Sequence, residues 1–261
     1  MHPSLQQQTQ RALERWAAQN GIALRDLGRL IEGEHADTNS IRSDSRVKDQ
    51  RPTVYFPGLR AIPFWEKGSF TWASMVEGLV DRIRVEYRSS VRRLAGPRPS
   101  YERGNWSVQY LTCIGRLDSN ATRHFPETVS ALSRVPGALT CGMSYFSTIA
   151  PETHILPHCG FTNAHLRCHL TIATAEFCRI RVGQEVRSWK DGELLIFDDT
   201  FEHEVWNDSG AHRVVLLFDV FHPDISVDEA RALEFLAGVW RRSIVSRRLI
   251  DGDMQLSHFR T

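Results

Sequence analysis

The stretch His154–Leu170, HILPHCGFTNAHLRCHL, holds four of the chain's eleven histidines. In its second half His165, Arg167 and His169 interleave with Leu166, Cys168 and Leu170. Alternation with a period of two is the pattern of a β-strand whose faces meet different surroundings. In a double-sheet β roll, polar residues spaced by two within an apolar strand point together into the interior. An inward arginine is costly unless a carboxylate meets it, because a buried unpaired charge loses its hydration with nothing in return. The acids nearest to Arg167 in sequence do not supply one, so it calls either for a distant Asp or Glu or for an acidic ligand. Arg213 raises the same question at the start of the apolar run RVVLLFDVF, as a solvated strand end or as a ligand clamp.

Outward from this stretch, the chain after Asn105 keeps one texture: short runs of β-branched and aromatic residues, separated by glycine, proline or aspartate. The runs VQYLTCIG, LTCGMSYFSTI, AHLRCHLTIA, FCRIRVG, EVRSWK, GELLIFDD, FEHEVWN and HRVVLLFDVFH read as strands, with a helix over PETVSALSRV between the first two. Such a series predicts a closed or two-sheet β architecture. Upstream, residues 4–33 have helical spacing broken at Asn20 and Gly21, and EHADTNSIRSDSRVKDQRP reads as an exposed polar linker. A helix is expected over Phe70–Arg93, its apolar face packed on a sheet. SVDEARALEFLAGVWRRS opens with the capping-box pair Ser226 and Glu229 and continues at helical spacing. The expected organisation is a helical extension and linker over residues 1–45, a β domain over 46–225 and a helical segment over 226–261.

At 261 residues the chain is near the upper size for one core. Its 41% hydrophobic and 24% charged residues are ordinary for a soluble globular protein. No apolar run approaches the ~20 residues of a membrane helix, and MHPSLQQQTQRALERW lacks the basic-then-apolar layout of a secretory signal. A cytoplasmic protein without a membrane partner is the expectation. A net charge of +1 gives no field to draw it onto nucleic acid, and the basic stretch RRLAGPRPSYER reads as a solvated face. The five cysteines are odd in number and form no C-x-x-C pair, so they read as small buried hydrophobes rather than as disulfides or a zinc site.

A second histidine feature lies in FDDTFEHEVWN, where His203 follows an apolar strand and a turn containing Asp198, Asp199 and Thr200. Neutral imidazoles on two strands can hold one divalent metal when the fold brings them face to face. The usual facial triad of non-haem iron has an acid two residues after its first histidine, and two after His158 stands Gly160. Asp198, Asp199, Glu202 and Glu204 lie near His203, most of them facing other sides of the strand. Asp198 and Asp199 are expected to brace the turn that presents it.

SYFSTIAPETHILPHCGFTNAHLRCHLTI and CRIRVGQEVRSWKDGELLIFDDTFEHEVWNDSGAHRVVLLFDVFHPD, with GNWSVQYL and FPETVSAL upstream, resemble the aspartyl/asparaginyl β-hydroxylase family of iron(II)- and 2-oxoglutarate-dependent oxygenases. The resemblance runs from Phe64 to Asp224. It implies a mainly β chain built on a double-stranded β-helix, the jelly-roll or cupin-like fold, with flanking helices at both ends. It also implies iron held by two histidines and no carboxylate, in keeping with Gly160. On the matching positions His158 and His203 become the catalytic metal ligands. Arg213 with Ser147 resembles the clamp on the distal carboxylate of 2-oxoglutarate, and Arg167 and His169 the surroundings of its iron-side end. The implied reaction is a dioxygenase hydroxylation: it consumes 2-oxoglutarate and O2, releases succinate and CO2, and hydroxylates an unactivated C–H of the β-carbon type.

Departures from the family pattern bear on the substrate. His165 stands where members acting on folded extracellular domains carry a second arginine, and Val108 where they carry a glutamine two after the tryptophan, here Trp106. Residues 1–45 are too few to stack the family's helical repeats. Trp106, Val108 and His165 are therefore the substrate positions, and the partner is an amino-acid-like small molecule or a carrier-bound or peptidyl residue. Two or more cationic groups beside His165 and Val108 would mark an acidic substrate, and an apolar wall would exclude one. Because an open iron position also accepts chloride, a halogenase is one alternative, and a non-catalytic β-roll binding module is another. Cys159 reads as a packed thiol turned away from the metal.

Overall fold

His165–Ala173 forms one continuous strand inside the larger of two facing sheets in the computed structural model, which describes residues 5–35, 50–90, 94–95 and 101–250. The chain enters through helix α1 (Leu5–Asn20), a 3-10 turn at Leu24–Leu27 and helix α2 (Gly28–Glu32). Strands β1 (Glu34–His35) and β2 (Val54–Tyr55) pair with each other and precede β3 (Phe64–Trp65). Helices α3 (Ala73–Gly78) and α4 (Val80–Ser90) follow, then β4 (Leu94–Ala95), β5 (Tyr101–Arg103), β6 (Trp106–Cys113) and β7 (Arg116–Leu117). After α5 (Ala121–His124) and α6 (Pro126–Leu132) come β8 (Ser144–Ile149), β9 (Thr153–His158), β10 (His165–Ala173) and β11 (Cys178–Val182). The last strands are β12 (Glu185–Ser188), β13 (Leu194–Phe197), β14 (His203–Asn207) and β15 (Arg213–Phe221), and α7 (Val227–Ile250) ends the described chain.

The larger sheet runs β3-β13-β10-β15-β8-β6-β4, with β7 beside β6, and the smaller runs β12-β11-β14-β9-β5. Neighbours within both are antiparallel, and consecutive strands are shared out between the sheets. This is the double-stranded β-helix with helices at both ends that the sequence implied. The pleat divides each strand between two cores. Leu166, Cys168 and Leu170 of β10, with Leu216 and Phe218 of β15, face outward onto Val76, Ile83 and Leu132 of the helices. Tyr145, Ile149, Val215 and Leu217 face inward and meet Ile155, Ile180 and Val205 of the smaller sheet. Arg167 and His169, on the opposite face from Leu166 and Cys168, thus point into the roll. A third cluster joins Leu13 and Ala17 of α1 to Leu236 and Trp240 of α7, over Val54, Phe56 and Ala164.

Several elements differ from their sequence expectation. The helix foreseen over Phe70–Arg93 is two helices, broken at Leu79, whose backbone (φ −98°, ψ 0°) leaves the α-helical region beside Gly78; residues 91–93 lie outside the described part. The strand foreseen from Leu139 begins at Ser144, because Gly137, at φ 85°, opens a turn in which its carbonyl accepts from both Thr140 and Cys141. β9, which carries the first histidine, was not among the expected strands. Its Pro157 donates no ladder hydrogen bond, and the pairing with β14 is irregular just there. Most of the polar linker lies outside the described residues, but its end is anchored: Arg51 N donates to Thr200 O, and the buried Gln50 donates its Nε2–H to Asp198. The capping box is formed, Ser226 N donating to Glu229 Oε2 at 2.8 Å and Glu229 N to Ser226 Oγ at 3.2 Å. All five cysteines are free thiols, buried except for the half-buried Cys159. Among the described residues no helix is long and apolar enough to cross a membrane.

Candidate active site

Strands β9 and β14 are neighbours, and their register sets His158 directly opposite His203. The ring centroids are 4.1 Å apart with planes at 52°. Each Nδ1 bonds a backbone carbonyl two residues earlier, His158 to Leu156 at 2.7 Å and His203 to Phe201 at 3.0 Å. A carbonyl only accepts, so Nδ1 carries the proton in both rings and Nε2 keeps its lone pair. Burial lowers the pKa of His158, and burial together with the neighbouring His158 holds His203 well below the usual histidine range. Both rings are therefore neutral, the form that binds metal. Two adjacent imidazoles with fixed tautomers fit one divalent ion. Among the described residues no group of three or more His, Cys, Asp or Glu side chains is placed to hold one.

Gly160 is glycine for a spatial reason, because a Cβ there would overlap the carboxylate of Asp199. The Gly160 N–H also donates to the Asp199 carbonyl at 2.6 Å. Asp199 in turn meets Arg167 Nη1 at 2.7 Å, and the Arg167 Nε and Nη2 donate to the two oxygens of Asp219 at 3.0 and 3.3 Å. The distant-carboxylate reading of Arg167 thus holds, with two acids rather than one and no ligand required. Burial pulls the Arg167 pKa down, but the two carboxylates outweigh it and hold it well above the usual value. One cation does not neutralise two acids: burial, reinforced by Asp219 and opposed by Arg167, pushes the Asp199 carboxyl up to about 6. Asp198 braces the turn as expected, its Oδ1 accepting from both the backbone and the hydroxyl of Thr200.

Arg213 has no such partner. It is 1% exposed, and its Nε and Nη1 find no acceptor among the described residues. Its guanidinium lies 4.4 Å over the ring centroid of Trp189, and burial draws its pKa down only to about 10, so it stays charged. Trp189 donates Nε1–H to His169 Nδ1 at 3.2 Å. That leaves the His169 proton on Nε2, which is buried and also without an acceptor. Ser147 accepts from Trp106 Nε1 at 3.0 Å and keeps its own hydroxyl hydrogen to give. Ring contacts run without a gap from the histidine pair to this end: His203 to Phe197 at 5.7 Å, Phe197 to His169 at 5.0 Å, and His169 stacked on Trp189 at 5.9 Å. Unsatisfied N–H groups on a buried guanidinium are the complement of a carboxylate.

Residues 80–223 match the family model described as aspartyl/asparaginyl beta-hydroxylase. The chain belongs to this family. Human aspartyl/asparaginyl beta-hydroxylase is 35% identical over 195 residues, 70% of this chain and 26% of the relative. An ornithine lipid ester-linked acyl 2-hydroxylase from Rhizobium tropici is 30% identical over 175 residues, 62% of this chain and 61% of the relative. The chain thus spans about a quarter of the human relative and three fifths of the bacterial one. Among solved structures, an oxidoreductase of the 2OG-Fe(II) oxygenase family from Burkholderia pseudomallei superposes with a TM-score of 0.40 at 11% identity, covering 54% of this chain and 77% of that one.

In this β-hydroxylase family member, the residues singled out for the substrate separate. Trp106 and His165 line a cavity of about 320 Å³ that reaches His158, Arg167, Asp199 and Asp219. Val108 does not line it; it is buried in the core between the sheets. Cys159 lies on the cavity wall, because β9 ends at His158 and strand alternation no longer governs the next residue. His154 stands apart, hydrogen-bonded to Glu204 at 2.9 Å and stacked on Trp206. Sequence reasoning missed Asp219 and Trp189. Asp219 was within reach, since Arg213, Val215, Leu217 and Asp219 share one strand face by the same period of two. Trp189, in the polar segment RSWK, gave no signal beyond that of a core aromatic.

Proposed function

We infer that this chain is an iron(II)- and 2-oxoglutarate-dependent dioxygenase that hydroxylates an unactivated C–H of an amino-acid-like substrate, free, carrier-bound or peptidyl. The observation that carries the reading is the presence, inside one β roll, of two neutral imidazoles with lone pairs kept on Nε2 and a buried arginine whose Nε and Nη1 lack acceptors among the described residues. When bound, iron couples the oxidative decarboxylation of 2-oxoglutarate by O2, giving succinate and CO2, to oxygen insertion into a C–H bond. His158 and His203 hold the metal, oriented by the carbonyls of Leu156 and Phe201. Arg213 takes the distal carboxylate of the cosubstrate, with the Ser147 hydroxyl as a further donor and Trp189 fixing the guanidinium plane. His169 offers its Nε2–H at the iron-side end, while Arg167, its Nε, Nη1 and Nη2 taken by Asp199 and Asp219, holds those two carboxylates in place beside it.

The relatives' names, a beta-hydroxylase and an acyl 2-hydroxylase, support oxygen insertion as the outcome. A halide beside Gly160 would face the Asp199 carboxylate packed over that glycine, which disfavours the halogenase alternative. The test is anaerobic loading with iron(II), titration with 2-oxoglutarate in a calorimeter and assay of succinate after O2 is admitted. One iron and one 2-oxoglutarate per chain are expected, with His158→Ala and His203→Ala losing the iron. Wild-type protein that binds neither would overturn the reading and return the chain to the class of non-catalytic β-roll binding modules.

A further inference from the structure

Resting on that hydroxylase reading, we propose that the cavity beside His158 receives an uncharged apolar group, either an aliphatic acyl chain or a hydrocarbon or aromatic amino-acid side chain, and turns away carboxylate side chains. Its walls are Trp106, Tyr110, Ile114, Met143, Tyr145 and Trp240. Tyr110 and Tyr145 meet edge to face at 5.2 Å, and Trp240 is held by a hydrogen bond from its Nε1 to Thr9 Oγ1 at 3.1 Å, so the aromatic surface is built rather than accidental.

The polar end of the cavity decides against an anion. Apart from imidazoles, its one cation among the described lining residues is Arg167, whose Nε, Nη1 and Nη2 already serve Asp199 and Asp219. A substrate carboxylate arriving there would meet two carboxylates for one guanidinium. Arg213 differs on both counts: its Nε and Nη1 are buried without an acceptor among the described residues, and it is not on this wall. His165, where a second cation would convert the cavity, is an imidazole kept neutral by burial, its pKa drawn down to about 4. Its Nε2 is buried without a partner among the described residues, which leaves room for one neutral hydrogen-bonding group such as an amide or ester.

The test uses the full chain loaded with zinc(II) and 2-oxoglutarate, so that no turnover intervenes, and reads tryptophan fluorescence and calorimetric heat. Three probes are titrated: N-acetyl-phenylalaninamide for a side chain, methyl hexanoate for an acyl chain and N-acetyl-aspartamide for a carboxylate. One apolar probe should bind more tightly than the aspartyl probe by about tenfold or more, and which one does so tells the side-chain source from the acyl source. Equal or tighter binding of the aspartyl probe overturns the proposal, as does binding of none. His165→Arg should reverse the order by strengthening the aspartyl probe about tenfold; if that variant does not fold, the wild-type titration still decides. Binding of 2-oxoglutarate is measured first. If it fails, the hydroxylase reading falls while the probe order without cosubstrate still tests the cavity; if it succeeds and the aspartyl probe wins, only the present inference falls.

Discussion

Trp189 holds the Arg213 guanidinium against its ring face and gives its N–H to His169, so one side chain orients two groups whose N–H donors lack acceptors among the described residues. Replacing it with phenylalanine keeps the ring and removes the N–H. The expected result is 2-oxoglutarate binding weaker by about five- to tenfold, the worth of one hydrogen bond, with iron stoichiometry unchanged. Arg213 itself is a buried charge whose Nε and Nη1 have no acceptor among the described residues, as the proposed cosubstrate clamp requires. Arg213→Met should abolish 2-oxoglutarate binding and, because an unpaired cation leaves the interior, raise the stability of the ligand-free protein by about 1–3 kcal/mol in denaturant unfolding. A lower stability in that variant would mean that the guanidinium is already satisfied. His165 gives the protein a pH signature. Its pKa is about 4 when folded and about 6.5 when unfolded, so between those values the unfolded chain binds more protons and stability falls as pH drops from about 6.5 to about 4. Asp198, pushed up to about 7 by burial, acts in the opposite direction, losing stability as pH rises towards 7. The His165 contribution is therefore read by difference: His165→Gln should flatten the acid side of the stability curve relative to wild type.

At the scale of elements, helix α6 begins without a side-chain cap of its own, and Glu86 of α4 supplies one from outside. Its two carboxylate oxygens accept from Glu127 N at 2.6 Å, Thr128 N at 2.8 Å and Thr128 Oγ1 at 2.7 Å. Glu86→Ala leaves those buried donors unserved and should cost about 2–3 kcal/mol in thermal or denaturant unfolding, while iron loading at His158 and His203 stays intact. This cap is invisible in sequence because its partners lie on separate helices. The same limit governs Arg167: periodicity placed it inside the roll next to His169, but Asp199 and Asp219 reach it from the turn after β13 and from β15. What alternation could read, it read well, as in the outward row Leu166, Cys168 and Leu170. It failed at β9, where Pro157 masks a strand that pairs through a local irregularity, and at Leu79, where a break within two turns leaves the helical spacing nearly undisturbed.

At the scale of the molecule, the two ends of the described chain close on each other. Trp240 of α7 bonds Thr9 of α1, and Arg29 meets Glu229 at 3.0 Å. Thr9→Val should lower stability by about 1 kcal/mol and, by freeing Trp240, weaken binding of a cavity ligand without changing iron content; both are read in one pair of titrations. Trp240 forms part of the cavity wall, yet it lies outside residues 80–223, the segment that carries the family match and both histidines. Most of that wall, from Trp106 to His165, lies inside the segment, and the C-terminal helix adds one aromatic side chain to it from outside. Varying Trp240 alone is therefore a way to reshape the cavity from outside the stretch that sets His158 against His203.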